Sequence, residues 1–345
     1  MNIAGKQIQT VVSGITPSGS NLHIGNYFGA IKPHLELQNQ IEHAYYFIAD
    51  LHALTTVKNK EKLENNIKNV ILDYLALGLD PKKVTFFRQS QVPAHSELAI
   101  ILANYISYGQ MQRMHAFKDK LQDGRGVENI NMGLFNYPLL MAADILLYKP
   151  DAVPVGEDQR QHVELTRDIA ISINKACGSE ALVVPEPLIN NNKLISRLVG
   201  TDGARKMSKS LGNVIGIFDE MDSIRKQIKG SYTDPARLKA TDPGNVEGNP
   251  VVLYHDLLNT NTSEVEDLKA RYKQGQVGDV EVKEKLVNAH VAFYGEARER
   301  RKTLEADPSL VREILISGKE AACVVANSNL EELKNLIGLS VDIFK

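Results

Sequence analysis

The chain has 345 residues, of which 43% are hydrophobic and 24% charged, and its formal net charge is -2. These ordinary globular values exclude disordered, collagen-like and coiled-coil chains, and the charge balance argues against gripping nucleic acid through bulk positive charge. With two cysteines (Cys177 and Cys323), no apolar run of membrane-helix length and no apolar leader, we expect a cytoplasmic protein without a disulfide framework, a structural zinc or a membrane span.

The first half of the chain alternates short apolar segments with helical patterns. Strands are predicted at 9–15, 44–49 and 83–88, and a helical pattern follows each of them. The second of these helices runs from about Lys60 to Leu77, where Gly78 ends it. Strands that alternate with helices of this length predict an α/β fold, with a Rossmann-like doubly wound parallel sheet.

After about residue 215 strand signals fade and helical segments follow one another. Ser263-Glu-Val-Glu266 predicts a capping box, and Asp307-Pro308 predicts an N-cap followed by proline at the first helical position. We therefore expect an α/β domain over 1–215 and a mainly α-helical domain over 216–345.

The segment from Gly14 to Asn26 is predicted to turn from the first strand into a helix. Free backbone N–H groups at such a turn favour a phosphate, and Gly19 and Gly25 allow a nucleotide to approach closely. His23 and Asn26 share a helical face and can donate hydrogen bonds to phosphate oxygens. Taken alone, a histidine in the first turn of a helix is more often a surface residue than a phosphate ligand. The segment is not a Walker A loop, because it lacks the Gly-Lys-Ser/Thr ending.

A second candidate is Lys206-Met-Ser-Lys-Ser210, which lies among Gly200, Gly203 and Gly212. Two lysines and two hydroxyls on a glycine-flanked loop can close over a polyphosphate and neutralise it. A solvated basic loop explains the same residues equally well.

A third candidate is Val153-Pro-Val-Gly-Glu-Asp-Gln159, where an apolar stretch ends in two carboxylates. At the end of a parallel strand, Glu157 and Asp158 are placed to hold a ribose hydroxyl or an ammonium group. The alternative is that they complement the dipole of a following helix, and both can hold together.

A fourth candidate is Asp144, which lies in the otherwise apolar helical stretch from Tyr137 to Tyr148. A buried carboxylate needs a hydrogen-bond donor, and a ligand N–H in an apolar pocket would supply one. On this residue alone, a donor from the fold itself is the favoured alternative.

In combination, these motifs resemble the class I aminoacyl-tRNA synthetases and, within them, the bacterial-type tryptophanyl-tRNA synthetase family. The tyrosine-specific sister family typically has Gly-Ser-Asp-Gln and Lys-Phe-Gly-Lys-Ser at the corresponding places. The blocks that carry the resemblance are Ser13–Gly19, His23-Ile-Gly-Asn26, Gln91-Val-Pro-Ala-His95, Phe117-Lys-Asp-Lys120, Met141–Tyr148, Pro154–Gln159 and Lys206–Ser210.

The resemblance implies activation of tryptophan with ATP to tryptophanyl-adenylate and pyrophosphate, then transfer to the terminal adenosine of tRNA(Trp). The attacking carboxylate is already ionised, so catalysis has to come from positioning and from stabilising charge on the pyrophosphate. Mg²⁺ would be held mainly by phosphate oxygens, without a dedicated protein metal site.

The resemblance also implies a role for each matching residue. Asp144 would accept the indole N–H, Tyr137 and Gln159 would take the substrate ammonium, and His52 would border the tryptophan pocket. The residues implied for catalysis are His23, Asn26, Lys120, Lys206 and Lys209. Those implied for binding ATP are Thr16, Pro17, Ser18, Gly25, Asn26, Gly156, Glu157, Asp158, Leu198, Lys206, Met207, Ser208, Lys209 and Ser210.

The partners implied are a second copy of the chain and tRNA(Trp), which would cross both subunits and present its anticodon to the helical domain. The basic run from Arg298 to Lys302 either contacts tRNA phosphates or forms a solvated helix face. The stretch from Leu198 to Arg205 is longer than in the commonest bacterial forms.

Three alternatives stay open from the sequence. A tyrosyl-tRNA synthetase would differ in amino-acid preference. A small-molecule nucleotidyltransferase would lack the tRNA step, although the helical C-terminal part speaks against it. A non-catalytic paralogue that binds tryptophan or RNA would have no need of His23, Gly25, Lys206 and Lys209.

Overall fold

A computed structural model describes residues 1–3, 5–17, 19, 22–115, 117–118, 130–189, 195 and 198–339. Its centre is a parallel sheet of five strands in the order β5-β4-β3-β6-β7. A short antiparallel pair precedes this sheet in the chain. The strands are β1 (Asn2–Ile3), β2 (Lys6–Gln7), β3 (Thr10–Ile15), β4 (His43–Ile48), β5 (Val84–Arg88), β6 (Ala152–Val155) and β7 (Glu186–Ile189).

The direction in which the sheet grows reverses beside β3. From β3 the chain adds β4 and then β5 on one side, and later adds β6 and β7 on the other. Val11 of β3 is in register with Ala152 of β6, so these two strands are neighbours. The loops that leave their carboxyl ends must diverge to opposite faces, which opens a crevice where open α/β sheets bind ligands.

Helices account for most of the remaining described residues. Four short 3₁₀ segments and one π-helical turn, Tyr27–Ile31, join or extend them. The α-helices are α1 (Ile24–Asn26), α2 (Lys32–Leu37), α3 (Asp50–Ala53), α4 (Lys60–Ala76), α5 (Ala94–Leu102), α6 (Tyr108–Gln112), α7 (Met132–Leu146), α8 (Arg160–Cys177), α9 (Met221–Lys229), α10 (Pro250–Leu258), α11 (Thr262–Lys273), α12 (Asp279–Ala306) and α13 (Pro308–Leu336).

Side chains of the central strands alternate between two apolar cores. Val11 of β3 joins a core with α4, α10 and α12, whereas its neighbour Val12 joins a core with α5, α7, α8 and α13. On β4, Tyr46 and Phe47 divide in the same way. Helices therefore cover both faces of the parallel sheet, which confirms the α/β doubly wound fold.

The predicted elements of the first half agree with the observed ones to within a few residues. One difference is the helix predicted from Leu22, which is broken by the π-helical turn between α1 and α2. The capping box at Ser263 is wrong, because Asn261 caps α11 by accepting from the Glu264 amide. The N-cap at Asp307 is confirmed, since its side chain accepts from the amide of Leu310.

The last helix returns to the sheet. Gly318 of α13 lies against the backbone of β5, where an added Cβ would sit 1.9 Å from the Phe86 carbonyl oxygen. This close approach covers an edge strand whose free hydrogen-bonding groups would otherwise face solvent. The domain boundary expected near residue 215 stays a prediction. In the part of the chain that the structure describes, no helix is both long and apolar enough to cross a membrane.

Candidate active site at the sheet crevice

A cavity of about 650 Å³ opens where β3 and β6 diverge. Its size is that of a small-molecule site, and its wall is largely apolar with a few polar groups. Thr16 and Gly156, which follow β3 and β6, both line the cavity. Six of the residues predicted from the sequence to bind ATP or tryptophan line this cavity: Thr16, His52, Tyr137, Asp144, Gly156 and Gln159.

Asp144 is the buried polar centre of one end of this cavity. It is 2% exposed, and the fold surrounds it with hydrogen-bond donors. His52 Nε2 lies 2.8 Å from Oδ2, and His95 Nδ1 lies 2.6 Å from Oδ1. Gln89 Nε2 lies 2.7 and 2.8 Å from the two oxygens, while Gln89 Oε1 accepts from the Leu51 amide at 3.1 Å. Donors within the fold therefore satisfy Asp144, as the favoured alternative from the sequence had it.

These donors keep Asp144 ionised in a dry environment. Burial by itself raises the pKa of a carboxyl group, but the hydrogen bonds and charges of His52 and His95 outweigh it and lower the pKa of Asp144 to about 2. A carboxylate accepts about four hydrogen bonds. With three donor groups around it, Asp144 retains capacity for one more N–H from the cavity side.

Tyr137, on the same helix as Asp144, lines the cavity beside His52. Its hydroxyl lies 2.7 Å from His162 Nε2, and burial lowers the pKa of His162 to about 4. A neutral His162 has one acceptor nitrogen, so the Tyr137 hydroxyl can donate to it and present its own oxygen as an acceptor. This polarity suits an ammonium group of a ligand.

The turn after β3 is fixed by a partner segment far along the chain. The Ile24 amide donates to the Ile215 carbonyl at 3.0 Å, and the Ile217 amide donates to the Leu22 carbonyl at 3.0 Å. His23 between them is 8% exposed, and its Nδ1 has no partner among the described residues. A buried ring nitrogen without a hydrogen-bond partner calls for an explanation, and a group bound at this turn would supply the partner.

Electrostatics keep His23 neutral. Burial, followed by the charges of Lys209 and Lys206, lowers the pKa of His23 to about 4. A Cβ on Gly25 would lie 3.0 Å from Nδ1 of His23 and 3.3 Å from the sulfur of Met207. Because these atoms nearly touch the glycine, the structure places His23, Gly25 and the lysine loop (residues 206–210) in one cluster.

Lys209 reaches the first turn itself. A Cβ on Gly19 would lie 2.8 Å from its Nζ, so the ammonium group lies against a bare stretch of backbone. Burial lowers the pKa of Lys209, and the charges of Asp73 and Asp219 offset only part of that decrease. Because Gly19 has no side chain, the Lys209 ammonium group can lie this close to the main chain.

Asn213 organises the lysine loop, and sequence reasoning missed it. Its Oδ1 accepts from the Ser208 amide at 2.7 Å, and its Nδ2 donates to the Lys206 carbonyl at 3.2 Å and to Asp202 Oδ2 at 3.0 Å. A Cβ on Gly200 would lie 2.2 Å from that nitrogen. The long stretch before the loop therefore folds back as a turn that holds the side chain of Asn213.

Other assigned residues lie at the rim or away from the cavity. Glu157 is exposed and makes a bidentate ion pair with Arg160 at 2.7 and 2.9 Å. It lies at the start of the helical segment that follows β6, as in the alternative in which the carboxylates complement a helix dipole. Asp158 lies against Gly156, whose Cβ would be 2.5 Å from Oδ1. Leu198 is buried in the core and is not among the residues lining the cavity. Ser18 and Lys120 lie outside the described residues.

The basic run of α12 is largely held by the fold. Arg298 donates to the carbonyls of Ile217 and Asp219 at 2.6 and 2.8 Å. Arg301 donates to Asp73 Oδ1 at 2.7 Å. The solvated helix face expected as one alternative is therefore wrong for these two arginines, because their guanidinium groups satisfy acceptors of neighbouring segments.

Comparison with known proteins identifies the fold family. A family model described as class I tRNA synthetases (W and Y) matches residues 6–295. The chain belongs to this family. Within the class I tRNA synthetases, it is similar to a tryptophan–tRNA ligase of Fusobacterium nucleatum, with 42% identity over 333 residues that cover 96% of this chain and 99% of that protein.

Two further members of the class I tRNA synthetases extend the comparison. A tryptophan–tRNA ligase of Borreliella burgdorferi is 40% identical over 336 residues, covering 96% of this chain and 94% of that protein. The crystal structure of tryptophanyl-tRNA synthetase from Campylobacter jejuni, complexed with ADP and tryptophan, superposes with a TM-score of 0.87 at 39% identity. That superposition covers 96% of this chain and all of the other.

Proposed function

We propose that this chain activates L-tryptophan with ATP and transfers it to the 3′-terminal adenosine of tRNA(Trp). Near-full-length relatives are named tryptophan–tRNA ligases, and a structural neighbour was solved with ADP and tryptophan. The observation in this chain that carries the proposal is the crevice at the sheet reversal. One end of it holds an ionised buried carboxylate. Thr16 in its wall begins the turn whose Gly19 and Gly25 lie against the lysine loop.

The amino acid occupies the Asp144 end of the cavity. Asp144 accepts the indole N–H, and His52 borders the ring. Tyr137 and Gln159 take the ammonium group, which the acceptor oxygen of the Tyr137 hydroxyl supports. A site that offers a charged acceptor to one ring N–H rejects rings without that donor, because the carboxylate would otherwise lose a partner in a dry pocket.

ATP occupies the side of the crevice formed by the turn after β3, the β6 end and the lysine loop. The adenosine lies by Gly156, Glu157 and Asp158, with Leu198 near the base. The phosphates lie between the turn after β3 and the lysine loop. The full set of ATP-binding residues in the proposal is Thr16, Pro17, Ser18, Gly25, Asn26, Gly156, Glu157, Asp158, Leu198, Lys206, Met207, Ser208, Lys209 and Ser210.

Adenylate formation needs little acid–base chemistry. A tryptophan carboxylate oxygen bonds to the α-phosphorus while the bond to the bridging oxygen of the β-phosphate breaks, and pyrophosphate leaves with that electron pair. Lys206, Lys209 and Lys120 stabilise the departing charge, and neutral His23 donates a hydrogen bond together with Asn26. In the second step a ribose hydroxyl of the tRNA displaces AMP from the carbonyl carbon, with loss of a proton.

Mg²⁺ enters with the nucleotide in this proposal. Within the described ranges, no group of three or more His, Cys, Asp or Glu side chains could hold a metal ion. Hard cations prefer oxygen ligands, and the phosphates of ATP supply them. The ion would neutralise phosphate charge beside the lysine loop.

The working assembly in the proposal is a homodimer in the cytoplasm, where ribosomes consume charged tRNA. Large apolar side chains on the lone chain support an interface, since Ile100 is 73% exposed and Val324 is 72% exposed. tRNA crosses both subunits, and the helical part reads its anticodon. Sedimentation equilibrium of the purified chain measures the subunit number directly, with two expected.

Aminoacylation tests the whole reaction. Purified protein is incubated with ATP, Mg²⁺, bacterial tRNA and one labelled amino acid at a time, and labelled tRNA is collected on filters. We expect charging with tryptophan alone, and only of tRNA(Trp). Charging with tyrosine would contradict the proposed amino acid, and adenylate formation without charging would contradict the tRNA step.

A further inference from the structure

We infer that His95 and Tyr148 are positioning residues that select which oxygen of Asp144 meets the ligand. By occupying Oδ1 from behind, they leave Oδ2 to accept an N–H from the cavity. This inference rests on the proposed function, because the N–H in question is that of the tryptophan indole.

The two oxygens of Asp144 receive different histidines. His95 Nδ1 lies 2.6 Å from Oδ1, and His52 Nε2 lies 2.8 Å from Oδ2. Gln89 Nε2 lies 2.7 and 2.8 Å from the two oxygens, so it bridges them and does not distinguish them. Because Gln89 shares one nitrogen between the oxygens, a fourth donor can still enter at one of them. The positions of the two histidines decide which oxygen that is.

The donors also lie on different sides of the carboxylate. Gln89 and His95 are 0% exposed and do not line the cavity among the described residues, whereas His52 and Asp144 do. Gln89 and His95 therefore hold Asp144 from behind. A ligand in the cavity meets the carboxylate beside His52, which is the side of Oδ2.

Tyr148 fixes the tautomer of His95. An ionised Asp144 only accepts hydrogen bonds, so His95 meets it with a proton on Nδ1. The Tyr148 hydroxyl lies 2.9 Å from Nε2, and in the inferred arrangement it donates to that nitrogen. Tyr148 is 3% exposed and stacks on Tyr45 with centroids 4.6 Å apart, so its hydroxyl has a fixed direction.

Loss of the Tyr148 hydroxyl would release this arrangement. His95 would then be free to carry its proton on Nε2, which would turn an Nδ1 lone pair against Oδ1. Asp144 would rotate or draw in a different donor, and the acceptor at Oδ2 would no longer be set for the ligand. The consequence is specific: recognition of the ring N–H weakens, while packing of the ring itself does not.

The experiment compares tryptophan with its benzothiophene analogue, in which sulfur replaces the indole N–H at nearly the same shape. ATP–pyrophosphate exchange gives kcat and KM for both amino acids in the wild type and in Tyr148→Phe, His95→Asn and His95→Leu. Tyr272→Phe is the matched control, since that tyrosine is equally buried and its hydroxyl bonds Asp279 in the helical part at 3.1 Å.

We expect the wild type to prefer tryptophan by about 100-fold or more, since its site is built around one N–H. Tyr148→Phe should narrow that preference about tenfold, through a higher KM for tryptophan and an unchanged KM for the analogue. His95→Leu should do the same or more. His95→Asn keeps a donor near the Nδ1 position and should retain most of the preference, and Tyr272→Phe should match the wild type.

A second readout does not depend on activity. Nitrogen-15 NMR of histidine-labelled protein reports which ring nitrogen of each histidine is protonated. Tyr148→Phe should remove one Nδ1–H tautomer signal that is present in the wild type. An unchanged preference or an unchanged tautomer in folded Tyr148→Phe overturns the inference. Failure of the wild type to exchange with tryptophan would instead overturn the proposed function on which the inference rests.

Discussion

Two buried aspartates differ in how far their hydrogen-bond partners offset the effect of burial on the pKa. Burial pushes the pKa of both upward. For Asp144, His52 and His95 reverse the effect and the pKa falls to about 2, whereas Asp73, with Arg301 and the Leu22 amide as hydrogen-bond partners, keeps a pKa raised to about 6. Asp144 therefore offers a permanent negative acceptor to a ligand. Asp73 instead links Arg301 of α12 to the turn before His23.

The contacts of Asp144 show what the sequence can and cannot predict about a single residue. Asp144 stood out as a carboxylate in an apolar helix, and the structure places it in the cavity wall. Its partners Gln89 and His95 are 55 and 49 positions away in the chain. Pairings at that separation arise from the packing of α5 on α7, which residue types and spacing do not reveal.

Replacement of Lys209 by alanine should reduce kcat for ATP–pyrophosphate exchange by about 100- to 1,000-fold. The physical reason is loss of a cation beside the Gly19 backbone, where the leaving phosphates lie in the proposal. The urea midpoint should change little. Lys226→Ala, which removes an exposed lysine of α9, should leave kcat unchanged. A threefold or smaller effect of Lys209→Ala would contradict the assignment.

At the scale of elements, the strands could be predicted because each is a short, apolar, β-branched segment bounded by turn residues. The helix predicted from Leu22 differs more from the structure. Tyr27 and Phe28, in its π-helical turn, pack against Phe293 and Tyr294 of α12 with ring centroids 5.4–6.0 Å apart. Tertiary packing of this kind overrides a local helical pattern, and the partner lies far away in the chain.

The contact of α13 with β5 gives a test at this scale. Gly318→Ala places a Cβ 1.9 Å from a backbone oxygen of Phe86, which forces the helix off the strand. We expect a loss of about 3 kcal/mol in the free energy of unfolding. In Gly295→Ala on α12, a Cβ meets nothing within 4 Å. That control should gain about 0.5–1 kcal/mol from the better helix former. Urea unfolding measures both, and equal effects of the two changes would contradict this packing.

At the scale of the whole molecule, the helical C-terminal part and the sheet share structure around the site. The His290 ring lies 2.9 Å from the Gly216 carbonyl, and Arg298 caps the carbonyls that follow. The segment held in this way pairs with the turn that carries His23. The sequence predicted two kinds of architecture in the two halves. It did not predict that α12 reaches into the motif region, since that depends on how the halves dock.

Stability should fall as the solution is acidified below neutral pH. Burial lowers the pKa of His23, His34, His162 and His290 to about 4, against 6.5 for a free side chain. The unfolded chain therefore binds more protons between pH 6.5 and 4, and the free energy of unfolding drops through that window. The raised pKa of Asp73, about 6, acts in the opposite sense but is a single group.

Urea midpoints measured at pH 7.5 and pH 5 check this prediction. The midpoint should be lower at pH 5, and His34→Gln should reduce the difference because it removes one of the four groups. A midpoint that stays constant or rises on acidification would contradict the neutral state of these histidines.

In the proposed function, the crevice between β3 and β6 forms tryptophanyl-adenylate. The most direct test of this proposal is ATP–pyrophosphate exchange by the purified chain with each amino acid offered separately, in the wild type and in Asp144→Asn. We expect exchange with tryptophan alone, and we expect Asp144→Asn to raise the KM for tryptophan and leave the KM for ATP unchanged. Exchange with tyrosine, or an Asp144→Asn enzyme with an unaltered KM for tryptophan, would contradict it.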